Sequence, residues 1–247
     1  MIILLRNKKS KYSIVYSVKL IVFKKSVIIT VIAIIFAGIA LGLCAGALAS
    51  AASAAQSGRV IVIDAGHGGI DAGVLGVNTG VKESDINLAI SKQLSGFFSE
   101  AGFKVVMTRT SNGGLYGLPT NGFKMRDMKK RKEIIENCAA DMVISVHQNS
   151  CPLKSRRGGQ TFYNAESETG KRLAECIQSS LNEMKECVKK SSPLSGDYYM
   201  LKCTESPSVI VECGFMTNGE DEKLLSDPNY QKNVAYAVFK GAVSFFG

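Results

Sequence analysis

Arg59–Gly69 reads R-V-I-V-I-D-A-G-H-G-G: four β-branched residues, then small and polar residues around His67. An unbroken Val/Ile run bounded by turn residues reads as a strand buried on both faces of a sheet. The glycines allow a tight exit loop whose backbone approaches a ligand closely. A histidine delivered at the end of such a strand is placed for chemistry. Two further runs repeat the arrangement: Asp141–His147 (D-M-V-I-S-V-H) ends in the other of the chain's 2 histidines, and Ser208–Glu212 (S-V-I-V-E) ends in an acid.

The intervening sequence alternates helical and strand patterns. A helix is expected over Asp85–Ala101, stopped by Gly102, and a strand over Lys104–Arg109. The Gly/Asn/Pro-containing stretch 110–122 is long enough to be a rim loop. Met125–Ala139 reads as a charged helix with positions 125, 128, 134–135 and 138 facing inward. A loop rich in Lys, Arg and Gly leads to a strand over Gly159–Asn164, a helix over Ser167–Val188 and a loop over 189–197. A short strand is expected at Tyr198–Lys202, and helices at Gly219–Ser226 and Pro228–Phe246. Strands alternating with helices define an α/β class: a mainly parallel, mixed sheet covered by helices on both faces, in a single domain.

That domain is expected over residues 59–247. Residues 1–25 hold seven Lys/Arg and no acid, a basic region of cytoplasmic type. Ser26–Ala49 has no charged residue, the pattern of an export signal; with 24 residues it reads equally as a cleaved signal or a retained signal-anchor. Residues 50–58, small and polar, read as a linker. The domain is thus expected outside the cytoplasmic membrane, at its outer face or released to the wall.

Formal net charge is +9, but seven of the 30 basic residues lie before residue 55, leaving 23 against 21 acids. The basic balance therefore reports topology rather than nucleic-acid binding, and no aromatic-interleaved basic stripe points to a nucleic acid. None of the 7 cysteines forms a C-x-x-C pair, which argues against a zinc knuckle or a thioredoxin site. Cys176 and Cys187, on one expected helix, sit about 16 Å apart at about 1.5 Å per residue, too far to bridge. Mostly free, buried thiols are expected.

Ligands bind beyond the carboxyl ends of strands in open parallel sheets. Three strand exits on one rim bring His67, His147 and Glu212 together, and Glu83 follows the His67 loop at the start of the first helix. Two imidazoles and one carboxylate with an open fourth position make a catalytic zinc site, and a second carboxylate serves as general base. Singly, each has a plainer reading: a hydrogen-bonded loop histidine, or a helix-start acid favoured by the dipole. Glu212 at the end of a buried strand is harder to dismiss, because an unpaired buried acid is costly. Tyr198 and Tyr199 either line the groove or pack, and the 129–132 Lys/Arg run reads as a solvated helix face.

Several segments together carry a resemblance: V-I-D-A-G-H-G-G-I-D-A-G at 62–73, K-E-S-D-I-N-L-A-I at 82–90 and V-V-M-T-R at 105–109, with R-K-E-I-I-E-N-C-A-A-D at 131–141, I-S-V-H-Q-N-S at 144–150 and V-I-V-E-C-G-F-M-T-N at 209–218. The chain resembles the zinc-dependent N-acetylmuramoyl-L-alanine amidase family of bacterial cell-wall enzymes. The resemblance implies one zinc ion bound by His67, Glu83 and His147, with Glu212 as catalytic acid/base and peptidoglycan as substrate. Arg131 falls in a matching segment and reads as structural. A catalytic domain without wall-binding repeats behind a membrane signal is similar to the spore-cortex type that precedes muramic δ-lactam formation, with an activating or targeting protein as a possible partner. The competing readings are an exported zinc carboxypeptidase acting on wall peptides and a non-catalytic peptidoglycan-binding or regulatory module.

Overall fold

The structure, a computed structural model, describes Val27, residues 29–39 and residues 58–247. Residues 29–39 are helical and belong to a separate unit, Met1–Ser50. Among the described residues no helix is long and apolar enough to cross a membrane. The expected basic region 1–25, most of the linker 50–58 and both ends of the apolar segment 26–49 lie outside the described residues.

The domain contains β1 (Val60–Ala65), β2 (Lys104–Met107), β3 (Met142–Asn149), β4 (Gln160–Tyr163), β5 (Leu194–Ser195) and β6 (Ser208–Phe215). Its helices are α1 (Glu83–Glu100), α2 (Phe123–Glu136), α3 (Glu168–Asn182), α4 (Gly219–Leu225) and α5 (Pro228–Ser244). The strands form one sheet in the order β2-β1-β3-β6-β4-β5, parallel except for the antiparallel β4–β6 pair. The α/β class and mainly parallel sheet expected from the alternating pattern are therefore present.

Side chains alternate across a strand, so each central strand divides its residues between two layers. Ile61, Ile63, Met142, Ile144, Val146, Val209, Val211 and Cys213 face the larger core, under α1, α3 and α5. Val62 and Val143 face a smaller core shared with Ile135 of α2 and with Met200 and Cys203. Further along this second face the same strands change from apolar to polar, to Asp64 on β1, Ser145 and His147 on β3 and Glu212 on β6. The register sets Asp64 beside Ser145 and His147 beside Glu212. The chemistry is thus confined to the face with the thinner apolar layer.

Three expectations are corrected. Tyr199–Lys202 is a 3-10 helix, not a strand; the Leu201 amide donates back to the Tyr198 carbonyl at 3.1 Å, a local turn bond that an extended strand does not make. Helix α2 brings Met128 and Ile135 to the smaller core, with Cys138 just beyond it, as expected, but it also buries Asp127 and Arg131, while Met125 is 56% exposed. Part of its inward stripe is charged because it delivers Arg131 to a buried acid. Helix α3 ends at Asn182, so Cys187 lies beyond it. The six described cysteines are free, as expected, but only Cys203 and Cys213 are fully buried.

The α3–α5 contact depends on Gly241, where a Cβ would lie 2.5 Å from Ile177 Cα and 2.7 Å from the Cys176 carbonyl oxygen. Gly→Ala in a helix ordinarily stabilises by up to about 1 kcal/mol. Here the backbone of α3 cannot yield, and Gly241→Ala is expected to destabilise by about 1–3 kcal/mol. A thermal melt checks the sign; an unchanged or raised Tm contradicts this packing.

Candidate active site

The loop after β1 is held from below by two guanidinium groups. Arg109 donates from Nε to the Ala65 carbonyl at 2.8 Å and from Nη2 to the Gly66 carbonyl at 2.9 Å. Arg131, 1% exposed, donates from Nη1 to Asp64 Oδ1 at 2.6 Å and to the Ala65 carbonyl at 2.7 Å, and from Nη2 to the His67 carbonyl at 2.6 Å. Three successive carbonyls are therefore fixed by buried cations. His67 needs the support, since its φ of 60° lies in the left-handed region that is costly for a residue with a Cβ. Gly66 is required beside it because a Cβ there would collide with the His147 ring.

Arg131 is itself neutralised by acids, whereas Arg109 donates only to carbonyls, those of Ala65, Gly66, Ser84 and Ser111. Asp64 also accepts from Ser145 Oγ and Thr108 Oγ1, and Asp127 Oδ2 is 2.6 Å from Arg131 Nε. Burial alone would raise the Asp64 pKa, but Arg131 and the two hydroxyls outweigh it and hold the carboxyl at about 2. Burial and the neighbouring Arg131 lower Arg109 to about 10, which leaves it charged at neutral pH.

Above this base, His67, Glu83 and His147 meet, with one ligand-type atom from each within 4.8 Å of the others. Glu83 Oε1 is 3.2 Å from His67 Nε2 and 3.0 Å from His147 Nδ1. The Gln148 amide donates to the same oxygen at 3.1 Å, and the Val74 amide donates to Oε2 at 2.8 Å. The other imidazole nitrogen of His67 is 2.8 Å from Asp71 Oδ2. Burial opposes the charged form of His67, yet Glu83 and Asp71 raise its pKa to about 9. Burial likewise opposes ionised Glu83, but the two histidines hold it well below the carboxylate range.

Glu212 stands on the adjacent strand in register with His147. Its Oε2 is buried with no hydrogen-bond partner among the described residues. Burial, supplemented by Glu83 and opposed by the histidines, raises its pKa to about 7. It lines a cavity of about 240 Å³ with His67, His147, Lys124, Tyr198 and Tyr199. All four residues singled out by spacing thus reach one site, and both tyrosines line it. Asp71, Arg109 and Lys124 were not singled out. Asp71 had the signal of lying four residues after His67, and Arg109 that of an arginine closing a buried strand pattern; exposed Lys124 had none.

The family of N-acetylmuramoyl-L-alanine amidases matches residues 61–244. The chain belongs to that family. This amidase is 32% identical over 194 residues to the germination-specific N-acetylmuramoyl-L-alanine amidase of Bacillus subtilis strain 168, covering 77% of this chain and 81% of that one. It is 31% identical over 195 residues to the N-acetylmuramoyl-L-alanine amidase LytC of the same organism, spanning 76% of this chain and 36% of that longer relative. The solved CwlD amidase from Clostridioides difficile, in complex with the GerS lipoprotein, has a TM-score of 0.73 and 36% identity, covering 76% of this chain and 98% of that one. Family membership sets aside the carboxypeptidase reading, and the amidase acts on peptidoglycan.

Removing Arg131 leaves Asp64 buried without its cation, a loss of about 3–5 kcal/mol. Arg131→Met is expected to lower stability by that amount in urea unfolding at pH 7. The Asp64 pKa is depressed by folding, from 3.8 to about 2. Its contribution is therefore complete above 3.8 and lost as pH falls through about 2. In Asp64→Asn that part of the acid dependence disappears, and an unchanged acid limb contradicts the pairing.

Proposed function

We propose that this amidase hydrolyses the bond between the lactyl group of N-acetylmuramic acid and the L-alanine of the stem peptide, with one zinc ion held by His67, Glu83 and His147 and with Glu212 as general acid/base. The observation that carries this reading is the convergence of two imidazoles on Glu83 Oε1, at 3.2 and 3.0 Å. Tetrahedral zinc with bonds of about 2.0–2.1 Å has ligand–ligand edges of about 3.3 Å, close to the spacing these groups already have. Two imidazoles and a carboxylate are the donor set of a catalytic site with an open position. When bound, zinc supplies Lewis acidity to water and to the scissile carbonyl.

The chain's residues do the rest. Asp71 orients His67 through Nδ1, which leaves Nε2 directed at Glu83. Glu212, with a pKa near 7 and a free oxygen, accepts the proton of the attacking water and returns it to the departing amine of L-alanine. Buried Met200 and Ile210 form an apolar floor that limits bulk water around this transfer.

The proposed setting is the spore cortex, where stem-peptide removal precedes muramic δ-lactam formation, in the forespore intermembrane space or at the outer face of the cytoplasmic membrane. Residues 26–49 serve there as signal or anchor, and a protein partner activates or targets residues 59–247. Support comes from the germination-specific Bacillus relative and from the Clostridioides CwlD amidase solved with the GerS lipoprotein.

Purified protein incubated with peptidoglycan is expected to release intact stem peptides only with zinc present, as identified by mass spectrometry. Glu212→Gln is expected to lose at least about 100-fold in rate, the scale of general acid–base catalysis, with its zinc content unchanged. Hydrolysis surviving that substitution excludes the assigned role. Because His67 titrates near 9 without metal, zinc binding at pH 7.5 is expected to release about one proton and to tighten as pH rises toward 9. Calorimetry in buffers of different ionisation heat measures the release; zero release contradicts His67 as a ligand.

A further inference from the structure

We infer that Lys124 reads a free carboxylate on the second residue of the stem peptide, so that this amidase prefers stems carrying D-glutamate over stems amidated to D-isoglutamine. The inference rests on the hydrolytic reading above and adds a specificity determinant to it.

Lys124 lies in the first turn of α2 and lines the cavity with its side chain 67% exposed. Its ammonium is 3.3 Å from Asp71 Oδ1, and the other oxygen of Asp71 is 2.8 Å from His67. An ammonium has three donors, so the pairing with Asp71 leaves capacity for a second carboxylate. The neighbouring cations are committed elsewhere. Arg131 is buried between Asp64 and Asp127, and Arg126 donates to the carbonyls of Tyr116, Leu118 and Asn121. Among the described residues lining the cavity, Lys124 is the exposed cation.

The sheet order gives the groove a direction. Lys124 and Asp71 stand over the β1 flank. Tyr198 stands at the β4 flank, its ring edge-on to Phe162 of β4 with centroids 5.4 Å apart, and Tyr199 follows it, each about 40% exposed. Three strand spacings separate β1 from β4, about 14 Å. Between them, over β1, β3 and β6, are the groups that meet the scissile amide. The apolar faces of the muramic sugar suit the tyrosine end, and the peptide then runs toward Lys124. An extended residue spans about 3.3–3.6 Å, so the second residue's carboxylate lies about 7 Å from the scissile bond. Asp71, 2.8 Å from His67 Nδ1 through one oxygen and 3.3 Å from the ammonium through the other, keeps Lys124 one side chain away from the His67 ring.

The test compares kcat/KM of the zinc-loaded full chain on two muropeptides that differ only in D-glutamate against D-isoglutamine. Wild type is expected to favour the acid about fivefold, the scale of one exposed ion pair, through KM and with a ratio that shrinks in salt. Lys124→Met is expected to bring the ratio to about one, and Lys124→Arg to keep most of it. Binding of the same muropeptides to Glu212→Gln, measured by calorimetry, is expected to show the same preference without turnover. A role confined to steadying Asp71 would lower both substrates alike and leave the ratio intact. That result, or a wild-type ratio near one, overturns the inference. Hydrolysis of neither muropeptide by wild type is the separate failure of the catalytic reading and overturns this inference with it.

Discussion

The ion pair between Arg131 and Asp64, buried beneath the loop that carries His67, is the constraint on which the rest of the site depends. Taking two charges out of water is expensive, and the pair is tolerable because almost every lone pair and N–H around it is used. Asp64 receives two hydroxyls and the guanidinium; the guanidinium also reaches Asp127 and two carbonyls of the loop. The arrangement makes the backbone of residues 65–67 rigid where a histidine must adopt a left-handed conformation. Helix α2 is organised for the same purpose, with part of its inner stripe charged at the cost of apolar contact.

Strand alternation then sorts structure from chemistry. One set of alternate residues on β1, β3 and β6 packs against three helices and supplies most of the core. The other set passes from Val62, Val143 and Ile210 through Asp64 and Ser145 to His147 and Glu212. The acids of the site consequently differ in character by position alone. Glu83 lies between two imidazoles and stays ionised, whereas Glu212 has buried surroundings and no donor for one oxygen, so its proton is held more tightly. Two carboxylates of one site thereby differ in protonation.

The parts legible in the sequence were those written in short periods. Val60–Ile63, Met142–Val146 and Ser208–Val211 announce buried parallel strands, and the residues that follow them announce the site, because a strand fixes where its next residue points. Helix existence was legible from the 3.6-residue pattern, and so were Met128, Ile135 and Cys138 on the inward side of α2. Hydropathy also selects Met125, which is exposed, and misses Arg131 and Asp127, which the fold buries to serve an acid 60-odd residues away. The 3-10 helix at Tyr199–Lys202 was hidden because a run of four residues is too short to separate a strand from a single helical turn. Lys124 is exposed, and its significance exists only in space, beside Asp71 and across the sheet from Tyr198.

Cys213 follows Glu212 directly, yet alternation turns its side chain into the helical core, away from the cavity. Burial and the nearby Glu212 carboxylate push its thiol far above the usual range, so it stays protonated. A thiolate in that position would be a strong, soft competitor for a borderline metal and an easy target for oxidants. The sheet keeps the sulfur one peptide unit from Glu212 while denying it both ionisation and access. A reactive atom is thus stored beside the site as inert packing.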